Sequence, residues 1–469
     1  MKRIASLLFA SLFSLGAFAE QRMTFHSASN GDVVYSVFNC KDIRLSGGKA
    51  LVEAKDGSVM GDALNFQALD SLTFADPISS DKVQILYAGD TVEIINPYAG
   101  KGVEVKANGA NVSIVSTTDK YITYYLKGTS MDGSLDVTPS AKFALYMDGL
   151  VLANMDGSAI RILEDYRANI ILADCSKNAL VASCDTINNA ALWAKTQVVF
   201  CGEVDENGDE IVGGDNGTGH LGISTMAGHG IYSKDYVRVK TGEIVLTDVA
   251  GDGINTKDYF RLDGGSVSIE AKGDGIDCND QIYINGGTLK VTSASNGVKA
   301  LKCDSVIEIK GGDIDIAMSG NGARAIKNEF EDIIISDAKL KIVMTGSLLQ
   351  ESDGPTYVTG IKTEQFVRLM DGADVDITCG SKATACKGIN ATSGIQISGA
   401  KVIVEVDGLK DYEAESGGKV AGLKTDGNIT ISNSSVVIVA ENLEESGVKA
   451  INCSNKDELT GVYEERVSR

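Results

Sequence analysis

The stretch GDGINTKDYFRLDGGSVSIEAKGDGID, residues 251–277, contains a glycine-flanked aspartate twice, at Asp252 and Asp274. The two copies lie 22 residues apart. Each is followed by a short aliphatic segment, a polar turn, a second aliphatic segment, a Gly-Gly turn and a strand in which apolar and polar residues alternate strictly. Three short strands in about 22 residues are what one coil of a right-handed parallel β-helix requires, with coils stacked about 4.8 Å apart.

The same frame of a small residue followed by an aliphatic one recurs along the chain. It begins at Ala191, Gly230, Gly253, Gly275, Ala300, Ala325, Gly360, Gly388, Gly422 and Ala450. A β-propeller would need blades of about 40 residues with four strands each, which this spacing does not supply. High Val, Ile and Gly content agrees with many short strands and glycine turns. The sequence therefore predicts an all-β, right-handed parallel β-helix.

Stacked coils align equivalent positions into columns that run along the helix axis. The first aliphatic residue of each coil should point inward, and Cys278 and Cys303 should be inward neighbours on adjacent coils. The intervening outward column is predicted to consist of Tyr232, Asn255, Asp277, Lys302, Lys327, Lys362, Asn390, Lys424 and Asn452.

Five segments are expected along the chain. Residues 1–19 resemble a signal peptide, with a basic start, an apolar run too short to span a membrane comfortably, and Ala17-Phe18-Ala19 before the cleavage point. Residues 20–76 predict a small N-terminal β module with turns at Asn30-Gly31 and Asp56-Gly57, and 77–96 a linker with a first strand. The β-helix should occupy 97–455, and 456–469 form a C-terminal tail.

Composition restricts the partners. The formal net charge is −21, which argues against nucleic-acid binding, because phosphate contacts need a basic footprint. No apolar run after the signal segment suits a transmembrane span, so we expect an exported chain found outside the cell, at its surface or in the periplasm. Nine cysteines include the close pairs Cys175/Cys184 and Cys379/Cys386, which fit either disulfides or buried free thiols.

Four oxygen-bearing side chains should meet at one corner of two adjacent coils. Asp252 and Asp274 precede the small residue of the frame, and Asn255 and Asp277 follow three residues later. Carboxylates about 5 Å apart repel one another unless a cation lies between them, and Ca²⁺ binds carboxylate and amide oxygens. We expect Ca²⁺ here. The alternative is ordinary Asp-Gly turn chemistry. Asp205 opens a second acidic stretch, which lacks the later ligands of a calcium loop and fits a hairpin tip better.

A basic stripe on an acidic protein suggests an anionic ligand. Lys302, Lys327, Lys362 and Lys424 share the outward column, and Tyr232 could offer a ring to a sugar. Lys299, Arg324, Lys387 and Lys449 precede the small residue of the frame. The alternative is that acidic neighbours neutralise these cations.

Evidence for catalysis is weak. His26, His220 and His229 are the histidines, and Gly228-His229-Gly230 resembles one motif of polygalacturonases without the expected order of aspartates. Lys302 beside Asp277 is the best arrangement for a lyase base. We assign no catalytic residue.

Several long segments carry a family resemblance. YITYYLKGTSMDGSLDV, FALYMDGLVLANMDGSAIRI and GTGHLGISTMAGHGIYSKDYVRVKTGEIVLTDVAGDGINTKDYFRLDGG resemble exported bacterial carbohydrate-binding domain-containing proteins over roughly residues 97–455. The resemblance implies a pectate-lyase-like β-helix, binding of cellulose and acidic pectin-type polysaccharide, and calcium near the four residues of the acidic corner.

These observations together predict a secreted, calcium-supported protein that binds plant cell-wall polysaccharide without cleaving it. Two alternatives stay open: a pectate-lyase-like polysaccharide lyase, and a structural surface protein or adhesin.

Overall fold

A computed structural model of the chain describes residues 22–26, 33–36, 40–54, 58–65, 71–75, 81–183, 190–352, 354–380, 386–407, 420–441, 448–453 and 464–468. The regular elements in these ranges are all strands. No helix there has the length and apolar character that crossing a membrane would require.

The coil that begins at Gly253 shows how the repeat folds. Its strands Ile254–Thr256, Phe260–Leu262 and Ser266–Ala271 each pair in parallel with the equivalent strand of the next coil. We name the three sides of the solenoid in this order the first, second and third face. The parallel β-helix predicted from the 22-residue spacing is thereby confirmed.

The first face is a sheet built from the opening strand of each coil, with one antiparallel strand at its start. Its strands are Val103–Asn108, Asn111–Ser116, Ser134–Thr138, Ile160–Ile162, Ala190–Ala194, His229–Ser233, Ile254–Thr256, Ile276–Cys278, Lys299–Cys303, Arg324–Asn328, Val358–Thr363, Cys386–Ala391, Val420–Thr425 and Val448–Cys453.

The second and third faces join into one bent sheet. Two long strands, Ile122–Ser130 and Phe143–Asn154, run through both faces. The second face continues with Ala168–Leu172, Val198–Phe200, Val237–Val239, Phe260–Leu262, Ile282–Ile284, Ile307–Ile309, Ile333–Ile335, Phe366–Leu369, Gly394–Ser398 and Asn428–Ser432. The third continues with Lys177–Ala182, His220–Thr225, Glu243–Val249, Ser266–Ala271, Thr288–Ser293, Asp313–Met318, Lys339–Met344, Asp374–Cys379, Lys401–Asp407, Ser435–Glu441 and Glu464–Ser468.

One continuous apolar core fills the solenoid from Val83 to Ala450. The first aliphatic residue of successive coils forms an inward ladder, and Ile231, Ile254 and Ile276 are each 0% exposed. Cys278 and Cys303 are direct partners on adjacent coils, as the frame predicts. Alternation along each strand thus fixes which side chains face solvent and where the outward columns run.

Glycine is required where the coils approach most closely. Gly265 adopts a φ of +71°, and a Cβ at this position would lie 2.6 Å from the carbonyl oxygen of Gly242 on the preceding coil. A left-handed backbone and a carbonyl contact both exclude larger side chains. The Gly-Gly turns between the second and third faces therefore maintain the stacking distance.

The N-terminal end of the helix begins within the predicted linker. Strand Val83–Ala88 pairs in parallel with Ile122–Ser130 and forms an antiparallel hairpin with Thr91–Ile95. A second hairpin, Leu349–Glu351 with Gly354–Thr356, projects between two later coils.

Residues before 76 form two small antiparallel sheets with a core of their own. One contains Arg22–His26, Val33–Ser36 and Ser71–Ala75, and the other Cys40–Ser46, Lys49–Ala54 and Val59–Asn65. Their shared core includes Met23, Phe25 and Val52. The turns expected at 30–31 and 56–57 lie outside the described residues, as does the signal segment. Strand Glu464–Ser468 lies in the predicted tail and pairs with Ser435–Glu441 on the third face.

Free thiols in the described part of the chain include those of Cys175, Cys201, Cys278, Cys303, Cys379 and Cys453. Cys379 and Cys386 are both buried, and the Cys386 thiol donates to the carbonyl oxygen of Cys379 at 3.3 Å. Cys175 is an exposed free thiol, and Cys184 lies outside the described residues.

Candidate functional site

Two outward columns run side by side along the first face. The outer column follows the inward aliphatic of each coil, in the order Trp193, Tyr232, Asn255, Asp277, Lys302, Lys327, Lys362, Asn390 and Lys424. The corner column lies two residues before that aliphatic, in the order His229, Asp252, Asp274, Lys299, Arg324, Thr359 and Lys387. The face therefore passes from aromatic to acidic to basic along the axis.

The aromatic end is a stack of three rings. The Tyr232 ring lies between those of Trp193 and His229, with centroid distances of 6.1 and 6.0 Å. Tyr232 is only 4% exposed, so it does not present the free ring face that the sequence suggested. Trp193 is half-buried and keeps part of its ring accessible, with the Lys234 ammonium 5.6 Å from the ring centroid. Trp193 is the stacking residue that the sequence reasoning missed, although it occupies the outer column.

The side chains of the acidic corner accept hydrogen bonds from backbone N–H groups of the following coil. The Asp252 Oδ1 atom accepts the amide N–H of Asp274 at 2.8 Å, and Asp274 Oδ1 accepts that of Lys299 at 2.7 Å. The His229 Nδ1 atom accepts the N–H of Asp252 at 3.1 Å in the same manner. One oxygen of each carboxylate thus stabilises the corner of the next coil, which is the turn chemistry left open by the sequence.

The remaining oxygens of this corner have other partners or none, and the Asp274 Oδ2 atom lies 4.0 Å from the Lys302 ammonium. Asp252 Oδ2 accepts a hydrogen bond from the Asn255 amide at 2.9 Å, and the Asn255 Oδ1 atom is buried with no hydrogen-bond partner. Burial raises the pKa of Asp274 against the opposing effect of Lys299, with Asp252 and Asp277 adding to the rise. Burial also acts on Asp252, but the opposing effects of the His229 ring, the Asn255 amide and the Asp274 N–H outweigh it and the net pKa is lowered.

These groups are chemically suited to Ca²⁺, although they do not form a finished site. Asp252, Asp274 and Asn255 supply carboxylate and amide oxygens. The buried Asn255 oxygen has no hydrogen-bond partner and would be satisfied by coordinating a cation. Asp277 differs because the Lys302 ammonium lies 3.0 Å from its Oδ1 atom. Among the residues that the structure describes, no three His, Cys, Asp or Glu side chains converge as a metal centre.

The four lysines of the outer column are all paired. Lys302 contacts Asp277, and Lys327 contacts Glu329. Lys362 lies 3.5 Å from Glu364, and Lys424 lies 3.9 Å from Asp426. In three of these pairs the acid follows the lysine by two residues and lies in the turn just after the lysine's strand, a spacing that was legible in the sequence. The stripe therefore follows the alternative left open by the sequence, in which acidic neighbours neutralise these lysines.

Two cations of the corner column lack such a partner. Lys299 and Arg324 oppose each other on adjacent coils, are half-buried, and form no ion pair within 4.0 Å in the described part of the chain. Burial lowers the pKa of Lys299, and Arg324, Lys302 and Lys327 lower it further. Burial likewise lowers the pKa of Arg324. Lys299 and Arg324 are thus half-buried cations of the first face without a carboxylate oxygen within 4.0 Å among the described residues, although Asp274 acts on both from further away and Glu351 and Glu329 act on Arg324.

Other candidate residues have structural roles. The Tyr236 and Tyr259 rings stack on each other at 4.4 Å, which covers a face of each ring. The Asp205 carboxylate accepts the backbone N–H groups of Asn207 and Gly208 and forms the tight turn that the sequence favoured. The His220 ring contacts Glu243 at 3.0 Å on the third face, away from the acidic corner.

Comparison with known proteins places this geometry in context. A solved structure described as the polysaccharide lyase-like protein from C. thermocellum, gadolinium derivative, is 20% identical, with a TM-score of 0.43, and covers 54% of this chain and 96% of that chain. No curated protein sequence matches the chain. The family described as carbohydrate-binding domain-containing protein matches residues 108–383, which run from strand Asn111–Ser116 of the first face to strand Asp374–Cys379 of the third. Since this match spans more than half of the chain, the protein belongs to the carbohydrate-binding domain-containing family.

Proposed function

We propose that this protein is a secreted, calcium-supported, non-catalytic binder of plant cell-wall polysaccharide, with cellulose or acidic pectin as the polymer. The observation that carries the proposal is the order of groups on the first face. Trp193, the acidic corner and the cations of both columns lie on consecutive coils in one line parallel to the axis.

A linear polysaccharide suits this arrangement. Its sugar rings can stack on the accessible part of the Trp193 indole, since aromatic rings are well suited to flat apolar faces. Its hydroxyl and acidic groups can reach the cations four to six coils further, at about 4.8 Å per coil. Ca²⁺ held by Asp252, Asn255 and Asp274, with Asp277 nearby, would neutralise an acidic corner that otherwise repels an anionic polymer.

The chemistry at Lys302 favours binding over cleavage. A lyase base must accept a proton, which requires a lysine pKa shifted downward. Burial lowers the pKa of Lys302, but Asp277 outweighs that effect and the net pKa is raised. Lys302 therefore stays protonated, and its role is to pair with Asp277.

Retention on insoluble polymer tests this function. The full chain should be retained on polygalacturonate or cellulose, and a calcium chelator should weaken retention. Failure to bind either polymer with calcium present would refute the proposal. Release of unsaturated product absorbing in the ultraviolet would replace it with the lyase alternative.

Export can be tested separately. The N-terminal residues have the charge and hydropathy of a signal peptide cleaved after Ala19. N-terminal sequencing of protein recovered outside the cytoplasm should begin at Glu20. Recovery of the intact N-terminus from the cytoplasm alone would contradict export.

A further inference from the structure

We infer that Lys299 and Arg324 form an oxyanion subsite that selects polysaccharides with carboxylate groups over neutral ones. This inference deepens the proposed function and rests on it. It assigns specificity to two residues of the corner column and not to the more regular lysines of the outer column.

The charge balance of the first face is the basis of this assignment. Lys302, Lys327 and Lys362 already contact Asp277, Glu329 and Glu364. A ligand carboxylate at any of these lysines would have to compete with a carboxylate of the protein. No carboxylate oxygen lies within 4.0 Å of Lys299 or Arg324 among the described residues, so a ligand carboxylate there would compete only with the longer-range effects of Asp274, Glu329 and Glu351.

Local packing makes the charge of these two residues costly without a ligand. Both are half-buried, and their direct register brings two cations onto adjacent coils about 4.8 Å apart. The hairpin Leu349–Glu351 with Gly354–Thr356 packs against Gly322, two residues before Arg324, since a Cβ there would lie 2.7 Å from Leu349, and its Glu351 carboxylate acts on Arg324. Partly desolvated cations gain most from an anionic partner.

The shape of the two side chains favours a planar oxyanion. The arginine guanidinium presents a rigid fork of N–H donors that matches both oxygens of a carboxylate, and the lysine ammonium adds a point charge. A neutral glucan offers hydroxyl groups, which are weaker acceptors for such donors. Position along the axis places this subsite between the acidic corner and Lys362, so the same polymer chain can contact all three.

The test compares a double variant with a charge-matched control. Lys299→Gln with Arg324→Gln removes both cations of the subsite. Lys290→Gln with Lys341→Gln removes two exposed lysines from the third face and changes the net charge equally. Binding of each full-length protein to soluble polygalacturonate, to its carboxyl-reduced neutral form and to a sulfated polysaccharide is measured by calorimetry in calcium. Thermal unfolding verifies that each variant is folded.

We expect the subsite variant to bind polygalacturonate about tenfold or more weakly, because charge-assisted hydrogen bonds are lost. Its retention on cellulose should fall much less than its binding to polygalacturonate, and the control variant should bind each polymer as the wild type does. Arg324→Lys, which keeps the charge but not the fork, should lie in between. Equal affinity of wild type and subsite variant for polygalacturonate would overturn the inference, as would tighter binding of the sulfated polymer by the wild type. Absence of binding to every polymer would instead refute the proposed function.

Discussion

The assignment of inward and outward side chains on the first face can be tested by measuring unfolding free energies of variants at two adjacent residues. Ile361 is fully buried between Ile326 and Ile389 of the neighbouring coils, whereas Lys362 points outward. Ile361→Ala removes three buried carbons, which costs about 2.4 kcal/mol at about 0.8 kcal/mol each. The cavity adds to this cost, and we expect about 3–4 kcal/mol in total.

Lys362→Ala should have a much smaller effect. Its only ion pair in the described part of the chain is the 3.5 Å contact with Glu364, and such pairs contribute about 0–1 kcal/mol. Arg324 and Lys327 also repel Lys362, which reduces the loss further. Urea unfolding followed by far-ultraviolet circular dichroism measures both free energies. Equal costs for the two variants, or a larger cost for Lys362→Ala, would refute the assigned frame.

Three further predictions concern the candidate site. Asp274→Asn keeps the Oδ1 acceptor for the Lys299 N–H but removes the negative charge. In thermal unfolding, we expect this variant to be more stable than wild type without metal and to lose most of the stabilisation that calcium gives the wild type. An unchanged calcium response would count against the site. Trp193→Ala should weaken polymer binding roughly three- to tenfold, while Tyr166→Ala, at a tyrosine 42% exposed, should leave titrations unchanged. Burial raises the pKa of both Asp274 and Asp277, so the metal-free protein should gain stability as the pH falls through these raised pKa values. Calcium binding should weaken over the same pH range, because the carboxylates become protonated. A calcium affinity that stays constant down to the ordinary carboxyl pKa would contradict the assignment.

Repeat spacing made the fold accessible from sequence. Once Gly253 and Gly275 fix the circumference of a coil, the register of the neighbouring strands follows, and with it the adjacency of Asp252 with Asp274 and of Cys278 with Cys303. These contacts are properties of the backbone, and alternation within strands is sufficient to predict them.

Side-chain pairing was harder to predict, because it depends on groups outside the columns. The Trp193 ring covers Tyr232 from a coil that an insertion separates from it in sequence. Glu329 and Glu364 lie in turns and neutralise lysines that the column pattern presents as free. The two cations without partners could be recognised only after these pairs were located.

The proposed function requires that polysaccharide lie along the first face. A crystal structure of the full chain with calcium and an oligogalacturonide tests this most directly. We predict the sugar chain on the first face between Trp193 and Lys362, with a carboxylate at Lys299 and Arg324 and a calcium ion at Asp252, Asn255 and Asp274. An oligosaccharide bound on the second or third face, with the first face unoccupied, would contradict the claim.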